Sequence, residues 1–166
     1  GSIWGRFGFS DVLTMFLALD TEVELFKGGR VCLWDFVKMP KDRDILVHII
    51  VKKTPIKTAY LSQRNTKTDF PVLACCVSMS EDGMKAVYGA RPSKAFLLED
   101  EENILKDVQT LSEEEKKEAY EKFADYAARK VPTSGNMRGS AKYRTLLVKV
   151  LTRRALEAVG GMSDEN

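Results

Sequence analysis

Residues that could carry out chemistry are sparse in this chain of 166 residues. The one histidine, His48, lies inside the apolar run 45–51, where a histidine is more often a tolerated strand residue than a general base. The sequence has no Gly-x-Ser-x-Gly nucleophile motif, no phosphate-binding loop and no Gly-x-Gly-x-x-Gly. The carboxylates clustered at 99–102 and 113–115 lie at predicted helix starts, where they complement the helix dipole. We therefore predict no catalytic residue.

The three cysteines, Cys32, Cys75 and Cys76, do not indicate a disulfide framework or a metal site. Their number is odd, and Cys75 and Cys76 are adjacent in a predicted strand, where neighbouring side chains point to opposite faces. No Cys-x-x-Cys occurs, which argues against zinc and iron–sulfur ligation. We interpret all three as small buried hydrophobic residues of a protein in the reducing cytoplasm.

Composition excludes several classes of protein. The chain has 44% hydrophobic and 30% charged residues, which is typical of a globular domain. A net charge of +2 gives no electrostatic reason to expect nucleic acid, although the charged last helix keeps that hypothesis open. No apolar run approaches the roughly 20 residues of a membrane span, and the N-terminus lacks the pattern of a signal peptide.

The glycine-rich segment 1–11 is the one local feature that suggests a ligand. It leads into a helix whose predicted N-cap is Ser10, with Asp11 in the first turn. Such a turn can bring backbone N–H groups close to a phosphate or to a cofactor hydroxyl. From composition alone, the simpler interpretation is that these glycines only form a loop.

The first third of the chain predicts a helix, a hairpin and a strand. Apolar spacing indicates a helix over about 11–20, and Gly28-Gly29 between alternating segments indicates a hairpin. The β-branched run 45–51 is typical of a strand that is buried on both faces.

The remainder predicts strands followed by helices. Residues 57–64 and 70–79 favour strands, and 81–83 favour a hairpin turn. A short extended piece and a helix near 99–107 are expected next. Ser112 and Glu115 form a capping box at the start of another helix, and the last helix covers about 140–158. The ten-residue loop between these two helices is a candidate functional or docking loop.

This order predicts an α+β fold in two parts that meet near residues 52–57. The C-terminal part is expected to hold a three-stranded antiparallel sheet packed by helices.

Five segments, taken in order, resemble one family: the FAD-binding (medium) subunit of the molybdenum hydroxylases, which include xanthine dehydrogenases, aldehyde oxidoreductases and carbon monoxide dehydrogenases. GSIWGRFGFSD resembles the family's second flavin motif, Gly-Gly-Asn/Ser-Ile followed by a variable stretch and Ser-Asp. LALDTEVELFKGGR resembles the helix and hairpin that follow. The other three segments resemble the C-terminal domain of these subunits: DFPVLACCVSMSEDG, YGARPSKAFLLEDE and RGSAKYRTLLVKVLTRRAL.

The resemblance implies a domain organisation and an activity. Residues 1–52 would be the end of an FAD-binding subdomain, 53–160 the C-terminal domain and 161–166 a disordered tail. The glycine-rich loop that cradles the FAD diphosphate lies upstream in the family, so the chain is expected to be a C-terminal fragment. The whole subunit would be an oxidoreductase that passes electrons from iron–sulfur clusters through FAD to an acceptor such as NAD.

The resemblance also implies four cofactor-binding residues: Gly1, Ser2, Asp11 and Leu46. Gly1 and Ser2 match the turn that approaches FAD, Asp11 matches an aspartate that hydrogen-bonds on the flavin side, and Leu46 matches an apolar residue near the isoalloxazine ring. This sequence departs from the family at Gly5, where some members have a hydroxyl residue. It departs again at Leu61, where eukaryotic members place a lysine near the ring.

The implied partners are a molybdopterin-binding subunit and an iron–sulfur subunit, with no nucleic acid and no membrane. The alternative function is a non-catalytic assembly module that docks those subunits and binds no cofactor. Without the upstream subdomain, the apolar residues of 45–51 and of the first helix would face water, so the fragment is expected to self-associate.

Overall fold

The computed structural model describes residues 1–81 and 83–161. The elements are α1 (Asp11–Ala18), β1 (Thr21–Leu25), β2 (Gly29–Cys32), α2 (Leu33–Lys38), β3 (Leu46–Val51), β4 (Lys57–Gln63), β5 (Leu73–Ser80), β6 (Gly83–Gly89), β7 (Phe96–Leu98), a 3₁₀ turn (Val108–Thr110), α3 (Glu113–Lys130) and α4 (Ala141–Gly160). The expected tail overlaps this range only at Gly161, which caps α4 in a left-handed conformation; residues 162–166 lie outside the described residues.

Two antiparallel sheets organise these elements. The N-terminal sheet has the order β2-β1-β3, and the C-terminal sheet has the order β4-β5-β6-β7. The α+β fold is therefore confirmed. The C-terminal sheet has four strands rather than the expected three, because the short strand β7 pairs with β6 from Ala86↔Leu98 to Tyr88↔Phe96.

The C-terminal sheet is covered by helices on both faces. One face packs against α3 and α4, and this core includes Cys75 and Tyr88. The other face packs against α1, and Cys76 and Val87 belong to that second core. Successive residues of a strand point to opposite faces, so the two adjacent cysteines serve two different cores.

Close polar and steric contacts fix α1 on this sheet. The Ser78 hydroxyl donates a hydrogen bond of 2.6 Å to the Ala18 carbonyl at the end of α1. A Cβ atom at Gly89 would overlap the hydroxyl of Thr14, so glycine lets β6 and α1 approach. Thus α1, from the predicted first part, packs on the sheet of the predicted second part. The boundary near 52–57 stays a prediction.

Three expectations about local structure were wrong. Cys32 is exposed, because it ends the edge strand β2 and its side chain is not covered. No helix forms near 99–107, where Asn103 and Asp107 adopt positive φ angles of 55° and 54°. The Asp100 carboxylate accepts hydrogen bonds from the N–H groups of Ile104 and Leu105, which stabilises a turn instead.

The third error concerns β3, which is an edge strand rather than one buried on both faces. Ile49 pairs with Val23 and shares its face of the sheet, yet Val23 is fully buried and Ile49 is 38% exposed. The apolar core therefore ends at β3, where Leu46 packs against its edge. On the opposite face, His48 Nδ1 lies within hydrogen-bond distance of Glu24 Oε2, at 2.8 Å, which supports the view of His48 as a strand residue.

The capping box is confirmed. The Ser112 hydroxyl accepts a hydrogen bond from the Glu115 backbone N–H, and the Glu115 carboxylate accepts one from the Ser112 backbone N–H.

The loop 131–140 is held by Arg144 of α4, whose side chain is fully buried. Its guanidinium donates to the carbonyls of Val72, Ser134 and Gly139 and to the Asn136 side-chain oxygen. This single side chain joins α4, the loop and the start of β5.

We expect Arg144→Met to lower the free energy of unfolding by about 3 kcal/mol, because it leaves several buried acceptors unpaired. Arg154→Met is the matched control, since Arg154 is exposed on the same helix. Urea denaturation of both variants measures the difference. Equal stability of the two variants would contradict this role for Arg144.

Candidate functional site

The segment 1–10 folds into a compact turn that ends at the N-terminus of α1. The N–H groups of Gly5 and Phe7 donate to the carbonyls of Gly1 and Ser2 at 2.8 and 3.2 Å. The Ser10 hydroxyl accepts from the Leu13 N–H as the N-cap and donates to the Ser2 hydroxyl at 2.9 Å. The structure therefore brings Gly1 and Ser2 next to the start of α1, where Asp11 is the first residue.

The carboxylate of Asp11, the first residue of α1, faces the C-terminal end of β4. Two side chains hold it there. The Tyr60 hydroxyl donates to Asp11 Oδ1 at 2.5 Å, and Arg64 Nη2 donates to Oδ2 at 2.7 Å. Arg64 also donates to the Asp69 carbonyl and to the Ser62 hydroxyl, so its own position is fixed. Asp11 is thus an oriented, charge-balanced carboxylate.

These contacts change the titration of the two partners. Burial, followed by the hydrogen bond to Asp11, raises the pKa of Tyr60 well above its ordinary value. The hydrogen bond to Asp11 raises the pKa of the Arg64 guanidinium. At neutral pH, Tyr60 is therefore a neutral donor and Arg64 a cation, and both donate to the Asp11 carboxylate.

Leu46 does not contact Asp11 directly. It is connected to the N-terminal turn through the apolar core that both pack against. It lies on β3, pairs with Leu25 and packs at the edge of the core that contains Ile3, next to Ser2. Leu61, the departure noted above, packs against the core formed with α3 and α4. Its neighbour Tyr60 points to the opposite face of β4, towards Asp11. The flavin-binding roles of Gly1, Ser2, Asp11 and Leu46 stay predictions.

Sequence reasoning missed Tyr60 and Arg64 as partners of Asp11. Residues 60 and 62 share one face of β4 by alternation, which the sequence does show, and Arg64 directly follows the strand. It does not show that α1, some fifty residues earlier in the chain, covers that face.

Arg6 was also missed. Its side chain is only 5% exposed, its φ angle is 52°, and its guanidinium stacks on Phe36 at 4.1 Å from the ring centroid and near Trp4 at 5.6 Å. Its Nε and Nη1 atoms are buried without a hydrogen-bond partner among the described residues. Stacking on the aromatic rings stabilises the positive charge of the guanidinium. It supplies no hydrogen-bond acceptor for the N–H groups, which lie in the guanidinium plane.

Within residues 1–81 and 83–161, no group of three or more His, Cys, Asp and Glu side chains could hold a metal ion. No helix in the described part of the chain is long and apolar enough to cross a membrane.

Comparison with known proteins gives one family match and several structural matches. A family model for the CO dehydrogenase flavoprotein C-terminal domain matches residues 58–159. Carbon monoxide dehydrogenase from Hydrogenophaga pseudoflava is similar with a TM-score of 0.78 and 21% identity, over 98% of this chain and 60% of that chain. Quinoline 2-oxidoreductase from Pseudomonas putida 86 gives 0.78 and 17%, over 98% and 61%.

Carbon monoxide dehydrogenase from Oligotropha carboxidovorans gives a TM-score of 0.77 at 19% identity, over 98% of this chain and 60% of that chain. At these identities the matches establish a shared fold. This chain spans about three fifths of the length of those proteins. No curated protein sequence matches it.

We expect Tyr60→Phe to destabilise the protein by about 2 kcal/mol at neutral pH, because Asp11 loses a charge-assisted hydrogen bond. Tyr143→Phe is the control, since Tyr143 is partly exposed on α4. The raised pKa of Tyr60 stabilises the folded protein. This contribution is complete below about pH 10 and declines as the pH rises through the pKa of Tyr60 in the folded state. The difference in unfolding free energy between wild type and Tyr60→Phe should therefore shrink above pH 10. A difference that is absent at pH 7, or that grows above pH 10, would contradict the role assigned to this hydrogen bond.

Proposed function

The chain belongs to the family of the CO dehydrogenase flavoprotein C-terminal domain, and we propose that it forms part of the FAD-binding subunit of a molybdenum-containing hydroxylase. The observation that carries this proposal is the family match over residues 58–159, joined to a fold shared along 98% of the chain. The finer proposal is a xanthine dehydrogenase-like oxidoreductase in the cytoplasm. Its partners would be a molybdopterin-binding subunit and an iron–sulfur subunit.

FAD, when bound, would supply electron transfer between the iron–sulfur clusters and an acceptor such as NAD. The part of this chain in that function is to bind and orient the cofactor. The turn at Gly1 and Ser2 would approach it through the backbone, and Leu46 would add an apolar contact.

Asp11 is suited to accept a hydrogen bond from the flavin side. Each carboxylate oxygen has two lone pairs, and Tyr60 and Arg64 use one on each oxygen. Within the described part of the chain, one acceptor position per oxygen therefore stays free. Because both partners hold the carboxylate in place, little rotational entropy would be lost when a ligand donor binds.

Arg6 supports an anionic cofactor close to the same turn. Its two buried N–H groups have no acceptor among the described residues. The positive charge of this guanidinium would favour an anionic group bound at the turn. The diphosphate of FAD has that chemistry.

The alternative function, an assembly module without a cofactor, is favoured by a different feature. Apolar side chains are exposed on and next to the loop 131–140, with Met137 at 92% and Leu146 at 56% exposure. Arg144 orders this loop, so it would dock without a large loss of conformational entropy.

The flavin content of the longer protein distinguishes the two functions. We expect a chain extended upstream to the length of its structural relatives to purify with flavin absorption. In that protein, Asp11→Asn should weaken FAD binding about tenfold, because a charged acceptor becomes an amide. Asp35→Asn, on the exposed side of α2, is the matched control and should leave FAD binding unchanged. An extended protein without flavin would refute the first function and leave the assembly module.

The 166-residue chain alone is expected not to retain FAD. Each retained contact is worth about 1 kcal/mol net, against an association cost of roughly 4–15 kcal/mol. Gel filtration with added FAD, read at the flavin absorption bands, measures retention. Stoichiometric yellow protein would contradict this expectation.

We also expect the 166-residue chain to self-associate through β3, where Val47, Ile49 and Val51 are exposed together with Ile45 just before the strand. Ile49→Lys should shift the protein towards monomer in sedimentation velocity. Thr58→Lys adds the same charge on the exposed edge strand β4 and should sediment like the wild type. A monomeric wild type would show that β3 does not drive association.

A further inference from the structure

We propose that Arg138, on the loop between α3 and α4, is a positioning residue for the Asp11 carboxylate. It acts through the linker 64–72, which joins β4 to β5. The proposal deepens the proposed function and rests on it for any effect on FAD, because Asp11 is the group that would accept a hydrogen bond from the flavin side. The effect of Arg138 on Asp11 itself requires no cofactor.

Arg64, the first residue of the linker, distributes its guanidinium over three acceptors. Nη2 donates to Asp11 Oδ2 at 2.7 Å, and Nη1 donates to the Asp69 carbonyl at 2.6 Å. Nε donates to the Ser62 hydroxyl at 3.2 Å. Because a guanidinium is planar, these donors point in fixed directions. One rigid group therefore relates the position of the Asp69 carbonyl to that of the Asp11 carboxylate.

Arg138 fixes the Asp69 end of this arrangement. Its Nε atom donates to both carboxylate oxygens of Asp69 at 3.1 and 3.2 Å, and Nη2 donates to Oδ1 at 2.9 Å. These hydrogen bonds hold the pKa of Asp69 below its ordinary value, so its carboxylate is ionised at neutral pH. The Asn65 side chain donates to the Arg138 carbonyl at 3.2 Å. Arg138 therefore holds the linker at two points.

Arg138 is itself attached to α4. Its backbone N–H donates to the Asn136 side-chain oxygen at 2.9 Å, and the same oxygen accepts from Arg144 Nη2 at 2.6 Å. Arg144 is fully buried in the core below the loop. Every group between α4 and Asp11 is thus held by at least two hydrogen bonds. A change at Arg138 should therefore reach Asp11 instead of being absorbed by a free side chain.

The expected effect of losing Arg138 is a change in geometry more than in stability. Between 25% and 29% of the side chains of Arg64, Asp69 and Arg138 is exposed, and ion pairs at such positions contribute little to folding. Tyr60 lies within β4 and would still donate to Asp11 Oδ1. Only the hold on Oδ2 would weaken, so the carboxylate would turn about its contact with Tyr60.

Arg138→Gln tests the positioning in the 166-residue chain without a cofactor. We expect the NMR signals of the Arg64 Nε–H group and of the Asp11 carboxyl carbon to shift. Arg154→Gln is the matched control and should leave both signals unchanged, because Arg154 is exposed on α4. Asp69→Asn is the second variant if Arg138→Gln fails to fold. It removes the ion pair but keeps the carbonyl that Arg64 contacts, so it should shift the same signals. Unchanged signals in the cofactor-free variant would overturn the proposal.

FAD affinity of the protein extended upstream, measured by fluorescence titration, tests the consequence for the cofactor. We expect Arg138→Gln to weaken FAD binding about threefold, less than the loss of Asp11 itself. In an Asp11→Asn background, the same substitution should have no further effect, because the carboxylate that it positions is gone. A general structural role, or direct contact of Arg138 with FAD, would lower the affinity equally in both backgrounds and would overturn the proposal.

The two measurements separate this proposal from the proposed function. An extended protein without flavin would refute the proposed function, while the NMR signals of Arg64 and Asp11 would still decide whether Arg138 positions the carboxylate. Flavin binding that is unaffected by Arg138→Gln would support the proposed function and contradict the role of Arg138.

Discussion

The need to cover both faces of β5 governs this structure. The first six residues of β5, from Leu73 to Ser78, are buried, and β4 and β6 occupy both of its edges. An interior strand of this kind is stable only if each face packs against other apolar surface. Two helices from the C-terminal part cover one face. The helix α1, from the N-terminal part, covers the other.

This packing determines where the candidate site lies. Because α1 lies on the sheet, its first residue Asp11 meets the side chains of β4 at the margin of the apolar contact. Tyr60 and Arg64 satisfy the carboxylate there, so the polar end of the interface is neutralised rather than left buried and unpaired. The glycine-rich turn before α1 is consequently held against the loop after β6, where the Ala90 N–H donates to the Gly8 carbonyl.

Local signals in the sequence predicted most of the elements. The capping box at Ser112, the glycine pair of the first hairpin and the β-branched strands all act within a few residues, so they can be recognised without the fold. The exposure of β3 could not be predicted from its β-branched run, which has the same sequence whether its face is covered or not, and was expected only from the resemblance. The absence of a helix near 99–107 depends on the left-handed residues Asn103 and Asp107. At the candidate site, the resemblance directed attention to Asp11. The partners of its carboxylate, Tyr60 and Arg64, could be identified only from the tertiary structure.

Native-state hydrogen exchange tests the central claim, that α1 and the C-terminal sheet form one cooperative unit. The amides of α1 and of β5 should exchange with similar free energies of opening, close to the global free energy of unfolding, because removing α1 would expose Cys76 and Val87. The same agreement should persist as denaturant is added below the unfolding transition. Exchange of α1 at a free energy several kcal/mol below that of β5 would show that the helix opens on its own, and would contradict the account.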